Sequence, residues 1–193
     1  AVGSTLKNPD LAGTYKELGR KGVDVLYRGD IGRDIVDAVN KPPVDPGSGW
    51  NARPGELSER DLTAYRATFQ PPTKTSYRGL DVYSIAPSSS GGTTVGEALN
   101  ILERTDLSDA SDVGYLHRLI EASRIAFADR GRWLGDPAFE DVPTRELLSQ
   151  RFADSRACLI RDDAALTSPL APGDPRDPRP CATGDKGAPT TYE

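Results

Sequence analysis

One stretch of the sequence, residues 72–86, has the residue pattern of β-strands, and it limits the sheet that this chain can form. It contains two runs rich in Thr, Tyr, Val and Ile, at 73–77 and 80–85, separated by Arg78 and Gly79. Residues of these types favour extended backbone, and a two-residue connection with Gly is typical of a tight hairpin turn. The sequence therefore predicts one hairpin. Because a two-stranded ribbon is marginal in isolation, its strands need neighbours.

Most other apolar residues recur at spacings of three and four, which is typical of amphipathic helices. Polar residues mark several helix starts: Asn8 precedes Pro9, Ser58 begins a capping-box pattern, and Asp112 precedes the longest stripe. The chain is therefore predicted to be α+β and mostly helical. The predicted helices cover residues 9–21, 30–39, a short stretch after 58, the stretch from the motif PSSSGG to about 103, 112–130 and about 144–155.

Two stretches contain too much Pro and Gly for a regular ladder. Residues 41–55, KPPVDPGSGWNARPG, are predicted to form a long ordered loop. After residue 160 the composition shifts to Pro, Asp, Gly and Thr, which predicts a tail that forms no core element. The predicted organisation is a helical and hairpin segment over 1–160, followed by a Pro-rich tail over 161–193.

Composition excludes several functional classes. The formal net charge is -5 with both signs mixed along the chain, which argues against nucleic-acid binding. No apolar run approaches the roughly 18 residues that a membrane span needs. His117 is the only histidine, and Cys158 and Cys181 are the only cysteines, so a four-cysteine zinc site is excluded. The chain contains no Met, and we therefore expect it to be an interior piece of a longer precursor.

The motif PSSSGG at 87–92 is the first candidate site. It could present a serine nucleophile, or its Gly-rich turn could bind an anion at the start of the next helix. A serine nucleophile needs a base, and the phosphate-loop pattern with its Lys is missing. The simpler interpretation is that Ser88 or Ser90 caps the helix and that Gly91 and Gly92 allow close packing. That helix carries an apolar stripe of Val95, Ala98, Leu99 and Leu102.

His117 is the second candidate. It lies between Leu116 and Arg118 on the longest predicted helix, off the main apolar stripe. A lone helical histidine in this position is typical of a surface or supporting residue, although a catalytic role stays open.

The run ADRGRWLGDPAF at 128–139 is the third candidate, because it concentrates charged residues and a tryptophan at a helix end. It could form a carboxylate site. The structural interpretation is that Gly131 or Gly135 ends the helix, Asp136 pairs with a nearby Arg, and Trp133 covers the joint. The charged residues of the run are Asp129, Arg130, Arg132 and Asp136.

Five motifs in this order resemble a known family. They are YRGDIGRDIV, GELSERDLTAYRA, YRGLDVYSIAPSSSGG, ALNILE and FADRGRWLGDPAF. Together they are similar to the second half of the large subunit of gamma-glutamyltransferases, also called gamma-glutamyltranspeptidases or glutathione hydrolases. The resemblance extends from about residue 8 to about residue 152.

The resemblance implies an N-terminal nucleophile (Ntn) hydrolase with an αββα fold. Family members are made as one precursor that cleaves itself, so that a Thr becomes the first residue of the small subunit and forms a covalent gamma-glutamyl intermediate. No cofactor or metal is implied. The implied partners are the rest of the large subunit, the small subunit and a gamma-glutamyl substrate. Alternatives are a catalytically silent relative that acts as a scaffold or interaction module, and an Ntn amide acylase for another acyl group.

The resemblance also bears on the identity of the nucleophile. Small subunits of the family open with Thr, usually followed closely by His, whereas this chain ends Pro189-Thr190-Thr191-Tyr192-Glu193. Thr190 is a candidate, but Tyr192 stands where His is expected, which favours a nucleophile beyond Glu193. Since oxyanion donors and the substrate-gripping Arg lie elsewhere in the family, we expect this chain alone to be inactive.

The exported character of many bacterial family members suggests a disulfide between Cys158 and Cys181 and an extracellular or periplasmic location. A bond would close a loop of roughly 24 residues and pin a tail that has no core of its own. The alternative is two free thiols, as expected in a reducing compartment.

Overall fold

The computed structural model describes residues 2–105, 107 and 111–180. The chain divides into two compact units, Ala1–Phe69 and Gln70–Glu193. Composition gives no sign of this division, since it changes only after residue 160. The boundary predicted at 160 marks that compositional change and stays a prediction.

The first unit contains short helices, and two of them start at polar side-chain caps. Asn8 Oδ1 accepts a hydrogen bond from the backbone N–H of Leu11 at 3.0 Å, and Ser58 and Asp61 form the predicted capping box. A one-turn helix was not predicted, because four residues are too few to show a helical period. The helices are α1 (Pro9–Lys21), α2 (Asp24–Tyr27), α3 (Asp30–Asn40) and α4 (Glu59–Ala64).

The Pro- and Gly-rich loop of the first unit is irregular, as predicted. Its two ends are held together by two hydrogen bonds. Asn40 Nδ2 donates to the carbonyl of Leu57 at 2.9 Å, and the N–H of Gly55 donates to the carbonyl of Val39 at 2.9 Å. Between these ties most of the loop residues are exposed.

The second unit begins with the predicted hairpin, β1 (Thr73–Tyr77) and β2 (Leu80–Ser84). The strands are antiparallel, with Tyr77 opposite Leu80. Arg78 and Gly79 have φ values of 48° and 78°, so both central residues of the turn lie in the left-handed region that a primed hairpin turn requires. The backbone N–H of Arg78 also donates to Glu103 Oε1 at 2.8 Å.

Helices pack beside this hairpin and enclose the core. The core cluster consists of buried aliphatic side chains from three of the helices, and residues of the tail pack against it. The helices are α5 (Gly91–Leu102), α6 (Asp112–Trp133), α7 (Thr144–Leu147) and α8 (Gln150–Ala157), and the buried cluster is Ile101, Leu102, Ala122, Ile125 and Ala153. None of the described helices is long and apolar enough to cross a membrane.

Three details differ from the sequence prediction. The cap of α6 is Ser111, whose Oγ accepts from the N–H of Gly114 at 3.2 Å, and not Asp112. The helix continues through Gly131 to Trp133. The helix predicted over 144–155 is two helices, because Ser149 accepts from the N–H of Phe152 and starts a new helix there.

The first part of the tail, residues 161–180, forms no helix or strand, as predicted, but it does contribute to the core. Leu166 and Leu170 pack against the buried cluster, and Gly173, Pro175 and Pro178 are buried. The prediction of a tail apart from the core is therefore wrong for these residues. Pro excludes a regular ladder, but it does not prevent apolar side chains from packing.

Candidate functional site

The buried face of α5 is polar, which makes it the most unusual surface of the second unit. Thr93, Thr94, Glu97 and Asn100 are all buried, whereas Val95 is 53% exposed. Of the apolar stripe read from the sequence, only Leu102 is buried, Ala98 and Leu99 are half-buried, and Val95 is exposed. Buried polar groups are costly unless they find partners, so the contacts of this face decide what it does.

Asn100 connects three segments of the unit. Its Oδ1 accepts hydrogen bonds from Thr75 Oγ1 at 2.6 Å and from Gln150 Nε2 at 3.1 Å. Its Nδ2 donates to the carbonyl of Leu148 at 3.0 Å. The side chain thus joins the hairpin, α5 and the junction between α7 and α8, which is a structural role.

One turn earlier on α5, Glu97 lies against a buried ion pair. Asp129 of α6 and Arg156 of α8 are joined by a bond of 2.8 Å between Oδ2 and Nε. Glu97 is 1% exposed, Asp129 0% and Arg156 4%. The carboxyl group of Glu97 hydrogen-bonds to Asp129. Two buried carboxyl groups therefore lie near one guanidinium group, which is bonded to Asp129.

This arrangement perturbs the acidity of Glu97. Burial raises the pKa of Glu97 well above its ordinary value, the charge and hydrogen bond of Asp129 raise it further, and Arg156 opposes the increase. Glu97 therefore keeps its proton to a higher pH than an exposed glutamate does. Its Oε1 atom and Thr94 Oγ1 are buried without a hydrogen-bond partner among the described residues.

The ion pair also holds the tail. The backbone N–H of Gly173 donates to Asp129 Oδ1, and Arg156 donates to the carbonyl of Ala171 at 3.0 Å. Trp133 Nε1 donates to the carbonyl of Gly173 at 2.7 Å. A Cβ atom on Gly173 would lie 2.9 Å from both Phe152 and Arg156, so the site accepts only glycine without rearrangement.

The PSSSGG motif forms the turn before α5, but neither serine has the predicted capping role. Ser90 occupies the cap position without a side-chain hydrogen bond to the helix, and its Oγ instead accepts from Arg130 Nε at 2.8 Å. The predicted role of the glycines is confirmed at Gly92, where a Cβ atom would collide with Thr73 and the carbonyl of Ile85.

His117 is half-buried and has a supporting contact. Its Nε2 is 2.6 Å from the carbonyl oxygen of Arg161 at the start of the tail. The neighbouring Arg118 forms an ion pair with Asp162 at 2.8 Å. Both contacts fasten the tail to α6.

The run ADRGRWLGDPAF is divided between two roles. Asp129 enters the buried cluster, whereas Asp136 accepts from the backbone N–H of Ala138 and shapes the turn after α6. The predicted pairing of Asp136 with an Arg is wrong for the described residues, because the ion pair in this region belongs to Asp129. Trp133 covers the joint as predicted, with the guanidinium groups of Arg132 and Arg176 4.8 and 5.1 Å from its ring centre.

Two predicted sites lie outside the described residues. Thr190, the candidate nucleophile, and Cys181, the predicted partner of Cys158, both belong to residues 181–193. Their roles stay predictions. Within the described ranges no group of His, Cys, Asp and Glu side chains has the arrangement of a metal site.

The sequence reasoning missed Glu97, Asn100 and Arg156. The first two recur with Thr93 at spacings of four and three on α5, which is a helical period in polar residues and a usable signal. Arg156 has no such signal, because its partners are 27 residues earlier and 15 residues later in the chain.

Comparison with known proteins shows which family this chain resembles. The family model described as gamma-glutamyltranspeptidase matches residues 1–192. The chain is 34% identical over 179 residues to the acylase ACY 1 proenzyme of Pseudomonas sp. strain SE83, covering 91% of this chain and 30% of the proenzyme. It is 33% identical over 174 residues to the glutathione hydrolase proenzyme of Escherichia coli K12, covering 89% of this chain and 28% of the proenzyme.

Solved structures show similarity to the same kinds of protein. The crystal structure of Helicobacter pylori gamma-glutamyltranspeptidase matches with a TM-score of 0.71 and 30% identity, over 89% of this chain and 47% of that chain. A cephalosporin acylase from Bacillus halodurans matches with a TM-score of 0.74 and 28% identity, over 91% of this chain and 30% of that chain.

These matches define the class first: the chain, which is mostly helical with one hairpin among its described residues, is part of an Ntn-hydrolase fold. The chain belongs to the gamma-glutamyltranspeptidase family. It spans about 30% of the length of the curated proenzymes that it matches.

Proposed function

We propose that the whole protein is a gamma-glutamyltransferase or glutathione hydrolase, and that this chain supplies the carboxyl-terminal half of its large subunit. The observation that supports the proposal best is the family match over residues 1–192 together with the similarity to glutathione hydrolase proenzymes. The substrates are gamma-glutamyl amides such as glutathione-like compounds. The partners are the remainder of the large subunit and the small subunit of the same precursor.

The reaction has two acyl-transfer steps. After self-cleavage of the precursor, the hydroxyl of the new amino-terminal Thr attacks the gamma-carbonyl carbon, and the alpha-amine of the same residue accepts the hydroxyl proton. The C–N bond of the amide breaks, and the leaving amine takes up a proton. Water or an acceptor amine then attacks the ester, which releases the glutamyl group and restores the Thr hydroxyl.

In this proposal the chain acts as a framework. The buried groups of its second unit bind one another and the tail, as Asn100 and the Asp129–Arg156 pair do. We therefore expect the isolated chain to show no turnover of a gamma-glutamyl chromogenic amide. Oxyanion donors, which the family supplies from the small subunit, are worth roughly 3 to 4 kcal/mol each in activation free energy.

The nucleophile can be identified in the full-length precursor. If Thr190 is the nucleophile, Thr190→Ala abolishes both self-cleavage and amide turnover, whereas the matched control Thr191→Ala still yields two subunits. Gel analysis of the subunits and release of the chromogenic amine measure the two effects. Self-cleavage that survives Thr190→Ala places the nucleophile beyond Glu193.

An amide acylase is the second candidate, and one observation favours it. The relative ACY 1 and the cephalosporin acylase structure match this chain as well as the glutathione hydrolases do. Two chromogenic anilides, gamma-glutamyl and glutaryl, differ only in the alpha-amino group. Preference of the full-length enzyme for gamma-glutamyl supports the transferase, and preference for glutaryl supports the acylase. A folded precursor that neither cleaves itself nor turns over either anilide supports the silent scaffold.

We also propose an extracellular or periplasmic location, supported by the family membership alone. Fractionation of cells that express the full-length gene tests it. Activity confined to the cytosolic fraction would contradict both this location and the oxidised cysteine pair expected there.

A further inference from the structure

The tail segment 171–176 is held by buried side chains of α6 and α8. Asp129 binds the segment through the N–H of Gly173 and also binds Arg156, which donates to Ala171. Asp129 is therefore the centre of the attachment. A change in the charges around Asp129 therefore changes the strength of its bonds to the segment.

The neighbour that can change this balance is Glu97. A carboxyl–carboxylate hydrogen bond needs one proton between the two groups, so the bond between Glu97 and Asp129 exists only while Glu97 is protonated. When Glu97 loses this proton to solvent, two buried carboxylates face one guanidinium. Their repulsion acts directly on the residue that binds Gly173.

The packing around Glu97 offers little to offset this repulsion. Asp129 approaches from α6 and Arg156 from α8, while β1 presents the uncharged Thr73 and Thr75 to α5, and the α7–α8 junction presents Leu148. Among the described residues, Glu97 Oε1 has no hydrogen-bond partner. A buried carboxylate with an unsatisfied oxygen is costly, so ionisation favours a rearranged state in which water reaches the cluster.

We propose that Glu97 and Asp129 form a proton-operated latch that fastens residues 171–176 to α6 and α8 and releases them when the shared proton is lost. The latch consists of Glu97, Asp129, Arg156 and Gly173. It operates whichever acyl group the assembled enzyme takes, and its failure would leave the proposed function standing.

Hydrogen exchange of the Gly173 amide in the full-length protein tests the latch. The wild type and Glu97→Gln are compared at each pH between about 5 and about 9, so that the intrinsic pH dependence of exchange cancels in their ratio. We expect protection of Gly173 in the wild type to fall at least about tenfold relative to Glu97→Gln as pH rises. Coinciding profiles would overturn the proposal.

Glu121→Gln is the matched control. Glu121 is also buried, at 2% exposed, and its Oε2 accepts from the N–H of Leu166 in the same tail. Its Oε1 accepts from Arg124. This substitution should loosen the attachment at Leu166 and leave the pH profile at Gly173 unchanged. A profile flattened by Glu121→Gln as much as by Glu97→Gln would assign the effect to general loosening and overturn the latch.

A second measurement needs no variant. Arg176 lies inside the segment, and trypsin cleaves after it only when the backbone is accessible. We expect cleavage at Arg176 in the wild-type protein to accelerate as pH rises, relative to cleavage of an unstructured Arg peptide under the same conditions. A constant ratio across the pH range contradicts the latch even if Glu97→Gln fails to fold.

Discussion

Two Pro-rich stretches of this chain have similar composition but differ in how they pack. The loop over 41–58 is mostly exposed and is tied at its ends by the Asn40 and Gly55 hydrogen bonds. The tail over 161–180 packs Leu166 and Leu170 against the core, and helices offer it charged partners. Pro and Gly exclude regular ladders in both. The two stretches differ in whether neighbouring elements supply hydrogen-bond partners for the N–H and C=O groups of the irregular backbone.

The largest expected effect comes from removing the charge that holds the tail. Asp129→Asn leaves the guanidinium of Arg156 buried without its counter-charge, and we expect a loss of about 3 to 5 kcal/mol in the free energy of unfolding. The corresponding tie of the loop is a neutral hydrogen bond, so Asn40→Ala should cost about 1 kcal/mol. Urea unfolding measures both. Equal losses would erase the distinction between the stretches.

The predicted disulfide would be a second constraint that the tail has and the loop lacks. If Cys158 and Cys181 are paired, protein made in an oxidising compartment has no free thiol under denaturing, non-reducing conditions. Reduction then lowers the free energy of unfolding by on the order of 3 kcal/mol for a loop of roughly 24 residues. Two titratable thiols in that assay would remove this support for an exported protein.

Adding a single methyl group should also have different effects on stability in the two stretches. Gly173→Ala places a Cβ 2.9 Å from Phe152 and Arg156, and we expect it to cost about 1 to 3 kcal/mol. Gly47→Ala in the loop meets only Asp45 Oδ1 at 3.4 Å and should be nearly neutral. Thermal unfolding of both variants checks the contrast. A neutral Gly173→Ala would show that the tail is not held as closely as these contacts indicate.

The last expected effect is a pH dependence of stability that arises in the tail cluster and has no counterpart in the loop. The pKa of Glu97 is raised in the folded protein, so as pH rises above its ordinary value of 4.5 the unfolded chain loses the proton first. The free energy of unfolding therefore falls until the folded group ionises too, by about 1.4 kcal/mol for each unit between the two pKa values. Glu97→Gln should remove this slope. The same slope in both proteins would assign it to other groups.

The features that the sequence predicted well are those encoded locally. The capping box of Ser58 and Asp61 spans three residues, and the hairpin is specified by Arg78, Gly79 and the alternating strands. Each of these patterns carries its own physical reason within a few positions. The five motifs did the same for the family, because they preserve order and spacing along the chain.

The buried face of α5 could not be predicted in this way. Its apolar stripe indicates one face, but Glu97 and Asn100 turn inward because partners elsewhere in the unit, Asp129 and Leu148, satisfy them. Likewise, nothing near Gly173 in the sequence shows that Asp129 will accept its N–H. The spacing of Thr93, Glu97 and Asn100 gives a polar helical period on α5, but nothing local shows which distant groups will satisfy these side chains.

The contacts of Asn100 have a consequence for synthesis of the chain. Its amide is satisfied by Thr75, which precedes it by 25 residues, and by Leu148 and Gln150, which follow it by 48 and 50. While the ribosome is still making the intervening residues, this side chain has only the hairpin to bind and must otherwise remain hydrated. Asn100 therefore acquires its full set of partners only after the α7–α8 junction has emerged, and we expect this unit to complete its fold late in translation.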